Sequence, residues 1–178
     1  MITKNAKTAL ASLFSFTSSG QYNYMPMTDV SGATRYIGWN NQGWPSVSYN
    51  YLVSFSTRLN SAGIKVGSSN AAESASDYTL ASLITAGISG SVVLHSRTVD
   101  ASGNSKVTLI VTVTNTGATD VTISEIGYFV QMKGGTTVGS TSTTIYYIML
   151  DRTLLDTPVT IPANSSATIT YVIQGETE

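Results

Sequence analysis

Residues 106–130 read KVTLIVTVTNTGATDVTISEIGYFV. Val107, Leu109, Val111 and Val113 alternate with Thr108, Thr112 and Thr114. A period of two marks a strand with one buried face and one wet or covered face. Asn115-Thr116-Gly117 then supplies turn chemistry, because Asn and Gly tolerate positive φ. The chain returns through Val121 and Ile123, then Ile126, Tyr128 and Val130. The pattern predicts two half-buried strands joined as a hairpin.

Working outward, further strand patterns appear. Tyr49, Tyr51, Val53, Phe55 and Thr57 alternate with Asn50, Leu52, Ser54 and Ser56. Ser91 to Val99 is rich in Val, and Thr144 to Leu150 reads as another strand. Lys133-Gly134-Gly135 predicts a break after Val130. Pro158 to Ile161 is short, with proline suited to a strand start or edge. Ala167, Ile169, Tyr171 and Ile173 close the set. About seven or eight short strands separated by turn signals predict an all-β fold, a sandwich of Ig-like or jelly-roll type. The sandwich is expected over 48–178.

Residues 1–47 differ. Asn5 is placed to cap a short helix with Ala6, Leu10, Leu13 and Phe14 on one face. Lys4 and Lys7 ahead of that apolar stretch imitate a signal peptide, but a clean small-x-small cleavage site is missing. A second helical signal runs from Ala75 to Ile84, with Ser74 or Ser76 as cap. Between 17 and 47, Gly, Pro and Asn interrupt any periodicity. An irregular segment of this length is often functional, and an arm or extended loop is expected there.

Composition excludes several classes. At 178 residues the chain can bury roughly 70% of its unfolded surface without staples. It has no cysteine, so disulfides, thiolate metal sites and cysteine nucleophiles are out. Charged residues make up 11%, about half the usual share, and the net charge is −1. Nine Lys and Arg cannot assemble a basic face, so nucleic acid is not an expected partner. No apolar run reaches the ~20 residues of a membrane helix, and no membrane partner is expected. A surface this poor in charge repels neighbours weakly, which suits a protein living among copies of itself.

Catalytic signals are thin. A Ser-His-Asp triad would need His95, the sole histidine, which sits inside a strand pattern with no G-x-S-x-G elbow. Glu73 and Asp77 lie four apart, a spacing that fits charge at a helix start better than a calcium loop. Gly134-Gly135 and Gly87 to Gly90 do not lead into G-K-S/T. Asn164-Ser165-Ser166 fits the glycosylation pattern but follows Pro162 in a turn. No carboxylate pair suits glycoside hydrolysis. No enzyme activity and no cofactor are expected. One polar pair is expected to be structural: Glu125, between Ile123 and Ile126, with Arg152 at the sandwich edge, the alternative being two solvated side chains.

The aromatic residues concentrate in the arm. Both tryptophans and five of the ten tyrosines lie within 22–51. Tyr22, Tyr24, Tyr36, Trp39 and Trp44 are the candidate interface residues, since Trp and Tyr anchor protein contacts. Two alternatives stand beside that. Trp39 and Trp44, with Asn40, Asn41 and Gln42, suit stacking on sugar rings in a carbohydrate-binding adhesion module. The same rings also suit a cap on the core.

Two stretches resemble a known family. The first is Gly63-Ile64-Lys65-Val66-Gly67-Ser68-Ser69 followed by Asp77-Tyr78-Thr79-Leu80. The second joins the Glu125-Ile126-Gly127 strand to the segment from Leu150-Asp151-Arg152 to Pro158-Val159-Thr160-Ile161, and ends with Thr168-Ile169-Thr170-Tyr171-Val172-Ile173. In order and spacing these are similar to small virion structural proteins of tailed bacteriophages, over residues 63–173. Ser68-Ser69 stands where the glycine turn more often reads G-x-G. The resemblance implies a β-sandwich located in the virion. It would contact copies of itself and other virion proteins, the major capsid or portal-neck proteins. The resemblance does not fix a position on capsid, neck, tail or fibre. Beside the resemblance, which does not reach residues 1–62, the arm over 1–47 is expected to dock on a neighbouring subunit.

Overall fold

The structure is a computed structural model that describes residues 23–39, 54–99, 105–137 and 144–175. The expected helix over 5–14, Tyr22, Trp44 and residues 49–53 of the first expected strand lie outside the described residues.

Two antiparallel sheets pack as a sandwich. In the first, β1 (Asn23–Thr28), β2 (Thr34–Trp39), β3 (Gly63–Gly67) and β7 (Thr144–Ile161) gather around β6 (Val121–Gly135). β7 pairs along nearly all of β6. β3 pairs with residues 125–129 of β6, and β2 pairs with Gly134 and Gly135. The second sheet places β5 (Ser105–Asn115) between β4 (Ile88–Val99) and β8 (Ser166–Gly175).

The main core forms where the inner faces meet. Ile64, Val66, Ile123, Ile126 and Ile161 of the first sheet pack against Leu109, Val111, Val113, Ile169 and Tyr171 of the second. The alternation seen in 106–130 therefore picks out the buried face correctly. The partner is different. β5 and β6 do not pair with each other and belong to different sheets. The connection is an arch between layers, and Asn115 is its bolt. Its side-chain amide donates to the carbonyls of Thr119 (2.8 Å) and Ile161 (3.0 Å), and its Oδ1 accepts from the Gly117 amide. The arch turns the two apolar faces toward each other, which a hairpin cannot do.

Three further expectations are corrected. Lys133-Gly134-Gly135 does not end β6. It continues the strand, because Gly134 lets the β2 backbone approach: a Cβ there would sit 2.7 Å from the Tyr36 carbonyl oxygen. Thr144 to Leu150 and Pro158 to Ile161 are one strand, β7, kept continuous by register shifts opposite Ile123–Glu125 and Tyr128–Phe129. Residues 75–84 form turns and a single bridge (Gly67 with Leu83) instead of a helix. Their Ser and Asp side chains bond locally, as Ser74 with Ser76 and Asp77 with the Ser74 amide, which competes with helical bonding.

The segment read as irregular carries the β1–β2 hairpin. Its turn is built by Asp29, whose Oδ1 accepts from the amides of Ser31 (2.8 Å) and Ala33 (3.1 Å). Gly32 at φ 81° completes it. Met27 and Ile37 then bury against Val130, Met132 and Ile148 in a second apolar cluster. The described part of the arm is thus a piece of its own chain's sheet.

Candidate assembly surface

The outer face of the β4–β5–β8 sheet carries Ser, Thr and a few aliphatics, and at one end Lys106, paired with Thr98 and Gln174. Directly paired residues share a face. One row is Ser91, Thr112 and Thr168; the next is Val93, Ile110 and Thr170; a third pairs Thr108 with Val172. None of these three rows carries a charge. β4 borders this face. Val93 is 61% exposed, Leu94 46% and Val99 70%. Val93 and Leu94 are consecutive and so point to opposite faces. That half of β4 is wet on both sides. Among the described residues β4 pairs only with β5. His95 lies at a register shift in β4 and is exposed, with no carboxylate bonded to it among the described residues.

The outer face of the other sheet is covered by residues 68–83, which cross from β3 toward β4. Leu80 packs there with Val30, Phe129 and Met149. Polar ties hold the crossing down. Arg152, 2% exposed, donates from Nε to Glu125 Oε2 (2.7 Å). One terminal nitrogen donates to Asp77 Oδ2 (2.8 Å), the other to the Ala71 carbonyl (2.9 Å). Glu125, fully buried, also accepts from the amides of Ala81 (3.1 Å) and Ser82 (2.7 Å). Glu73 accepts from the Leu154 amide at 2.6 Å. Gly67 makes room for this node, since a Cβ there would collide with Glu125 Oε1 and lie 2.6 Å from the Ser82 carbonyl oxygen. The Glu125–Arg152 pair thus sits beneath the crossing instead of at the sandwich edge. Glu73 and Asp77 act in the same cluster, on no helix.

Two other buried polar groups stand apart. Lys65 is fully buried on β3, its ammonium 4.0 Å from the centroid of the Phe129 ring and 2.5 Å from the Leu59 carbonyl. Burial lowers its pKa to about 7. Asp151 faces the inner core and accepts from the Tyr171 hydroxyl and from Thr153 Oγ1. Burial, then the Asp151 charge, pushes the Tyr171 phenol well up. Asp151, Arg152 and Lys65 are held by the fold and display no reactive group to solvent. No group of three or more metal-ligating side chains occurs among the described residues.

The aromatic candidates are spread. Tyr36 is half-buried on β2, opposite Pro26 and Gly135. Tyr24 lies on β1 opposite Gly38, and Trp39 ends β2 opposite Asn23. Tyr22 and Trp44 lie outside the described residues. Arg35 stacks 4.5 Å from the Tyr146 centroid and pairs with Asp29 at 2.6 Å, fixing the hairpin to β7. Sequence reasoning passed over β4's exposed aliphatics and the buried lysine. The first had a signal, the run Ser91-Val92-Val93-Leu94, in which apolar residues fall on both faces. No family model, curated protein or solved structure matches the chain.

Proposed function

We propose that this chain is a non-enzymatic structural protein of a bacteriophage virion. It is a rigid β-sandwich that assembles on capsid, neck or tail beside copies of itself and the major capsid or portal-neck proteins. The observation that carries this is the charge-poor outer face of the β4–β5–β8 sheet, where Lys106 at one end is the one formal charge among the described residues, bordered by an exposed aliphatic strand. Such a face docks on protein at little cost in charge desolvation. The buried ionic groups support it indirectly. Arg152, Glu125 and Asp77 are spent on stiffening the sandwich. A stiff module loses little entropy on assembly, and many copies make weak contacts sum. The resemblance over 63–173 points the same way.

Mass spectrometry on density-purified particles from the source culture tests the proposal. The chain is expected to band with intact particles at fixed copy number. If it stays in the soluble fraction, the virion role fails and sugar binding through Trp39 and Trp44 becomes the leading account.

A further inference from the structure

We propose that the outer edge of β4 pairs antiparallel with the same edge of a second copy, about a two-fold axis at Val93. The inference rests on the self-assembly part of the proposed function and assigns it a surface.

Three observations carry it. First, among the described residues β4 is a long edge. It runs twelve residues, Ile88–Val99, without proline or lysine and with a single register shift at Leu94–Ser96. Natural edge strands are normally blunted by charge, proline, a bulge or brevity, because their unpaired N–H and C=O groups template another strand; in β4 the bulge and Arg97 both fall after Leu94 and leave Ile88–Val93 without such a device. Second, its aliphatics are exposed where a neighbour would cover them. Val93 at 61% lies at the axis on one face, and Leu94 at 46% lies beside it on the other. Third, the charge pattern suits a copy of itself. Centring on Val93 sets Arg97 opposite Ser89 and His95 opposite Ser91. The two Arg97 residues then lie eight positions apart, roughly 27 Å at strand rise. That is beyond the Debye length of about 8 Å at physiological salt. Antiparallel addition joins two three-stranded sheets into one of six and extends the Ser/Thr-rich, charge-poor face across both copies.

The absence of cysteine makes the test direct. Val93→Cys and Val99→Cys are made separately in the full chain. At the axis the two Cα atoms approach to roughly 4.5–5.5 Å, within disulfide reach. At Val99 the copies are roughly 41 Å apart at strand rise. Under mild oxidation Val93→Cys is expected to form disulfide dimers at least tenfold faster than Val99→Cys. Wild-type protein is expected to sediment with a concentration-dependent monomer–dimer shift. Val93→Lys, on a side chain already mostly in water, is expected to abolish that shift while leaving the thermal midpoint nearly unchanged. Equal cross-linking at both positions, faster cross-linking at Val99, or a wild type monomeric at every concentration overturns the proposal. Monomeric protein that still bands with particles would sink the β4 edge and leave the virion role. Intact cross-linking in a chain absent from particles would do the reverse.

Discussion

Arg152→Met removes the centre of the polar node while keeping the unbranched stem. It leaves the Glu125 carboxylate fully buried with only the Ala81 and Ser82 amides. Ala71 and Ala72 are exposed, so water replaces the guanidinium at their carbonyls at little cost. Asp77 is half-buried and rehydrates in part. The stranded Glu125 charge outweighs both. Removing one partner of a buried ion pair costs about 3–5 kcal/mol. Against a typical stability of about 5–15 kcal/mol this is a large fraction. At about 2–4 °C per kcal/mol for a domain of this size, the thermal midpoint should fall by about 6–20 °C. Urea denaturation at pH 7 gives the energy. Hydrogen exchange gives the location, with the Ala81, Ser82 and Leu154 amides exchanging faster as the 68–83 crossing loosens. Glu125→Gln combined with Arg152→Met should recover part of the loss, because no charge is then stranded. A loss below about 1 kcal/mol for Arg152→Met would put the pair in the class of exposed salt bridges and refute the reasoning.

Lys65 predicts a pH dependence. Its folded pKa is about 7 and its unfolded value about 10.4. Between these the unfolded chain binds more protons, so stability rises with pH, by about 2 kcal/mol from pH 7 to 9. Lys65→Met should flatten that slope and stabilise the protein at pH 6, checked by urea melts across pH 6–9. Gly67→Ala should cost about 1–3 kcal/mol, because its Cβ collides with Glu125 Oε1 and meets the Ser82 carbonyl oxygen at 2.6 Å. Gly87→Ala meets nothing within 4 Å, so only its φ of 74° opposes the change, at about 1–2 kcal/mol; thermal melts compare the two. Asn115→Ala strands the Ile161 carbonyl inside the arch and should cost about 1–3 kcal/mol by the same assay.

Much of the fold is legible along the chain, since a strand's buried face is a local property. Val107, Leu109, Val111 and Val113 announce theirs, and the slip from Ile123 to Ile126 coincides with the register shift at Ile123–Glu125. The pairing of Glu125 with Arg152 is one of two readings open to a carboxylate between Ile123 and Ile126 and an arginine two residues after Leu150, the other being two solvated side chains; its depth is not legible at all. β3 is less legible. Five residues bounded by glycines look like a turn, and Gly63–Gly67 becomes a fully buried strand only because β6 pairs on one edge and Phe55 bridges the other. The arm between 23 and 39 is similar. Its interrupting Pro26, Gly32 and Gly38 hide two six-residue strands that bury Met27 and Ile37.

Local pattern is enough for the all-β class, the inward faces of β5, β6 and β8, and the low charge. Periodicity and composition carry those, because each depends on neighbouring residues alone. Which strand lies beside which comes from long-range packing. Alternation tells a strand which side to bury but not whose edge to join, so 106–130 reads equally as a hairpin or as an arch between sheets. Asn115 settles that through bonds to Thr119 and to Ile161, 46 residues away. The exposure of Val93 on an uncovered edge is likewise a property of the assembled sheets, visible only once β5 has taken one side of β4 and no described strand has taken the other.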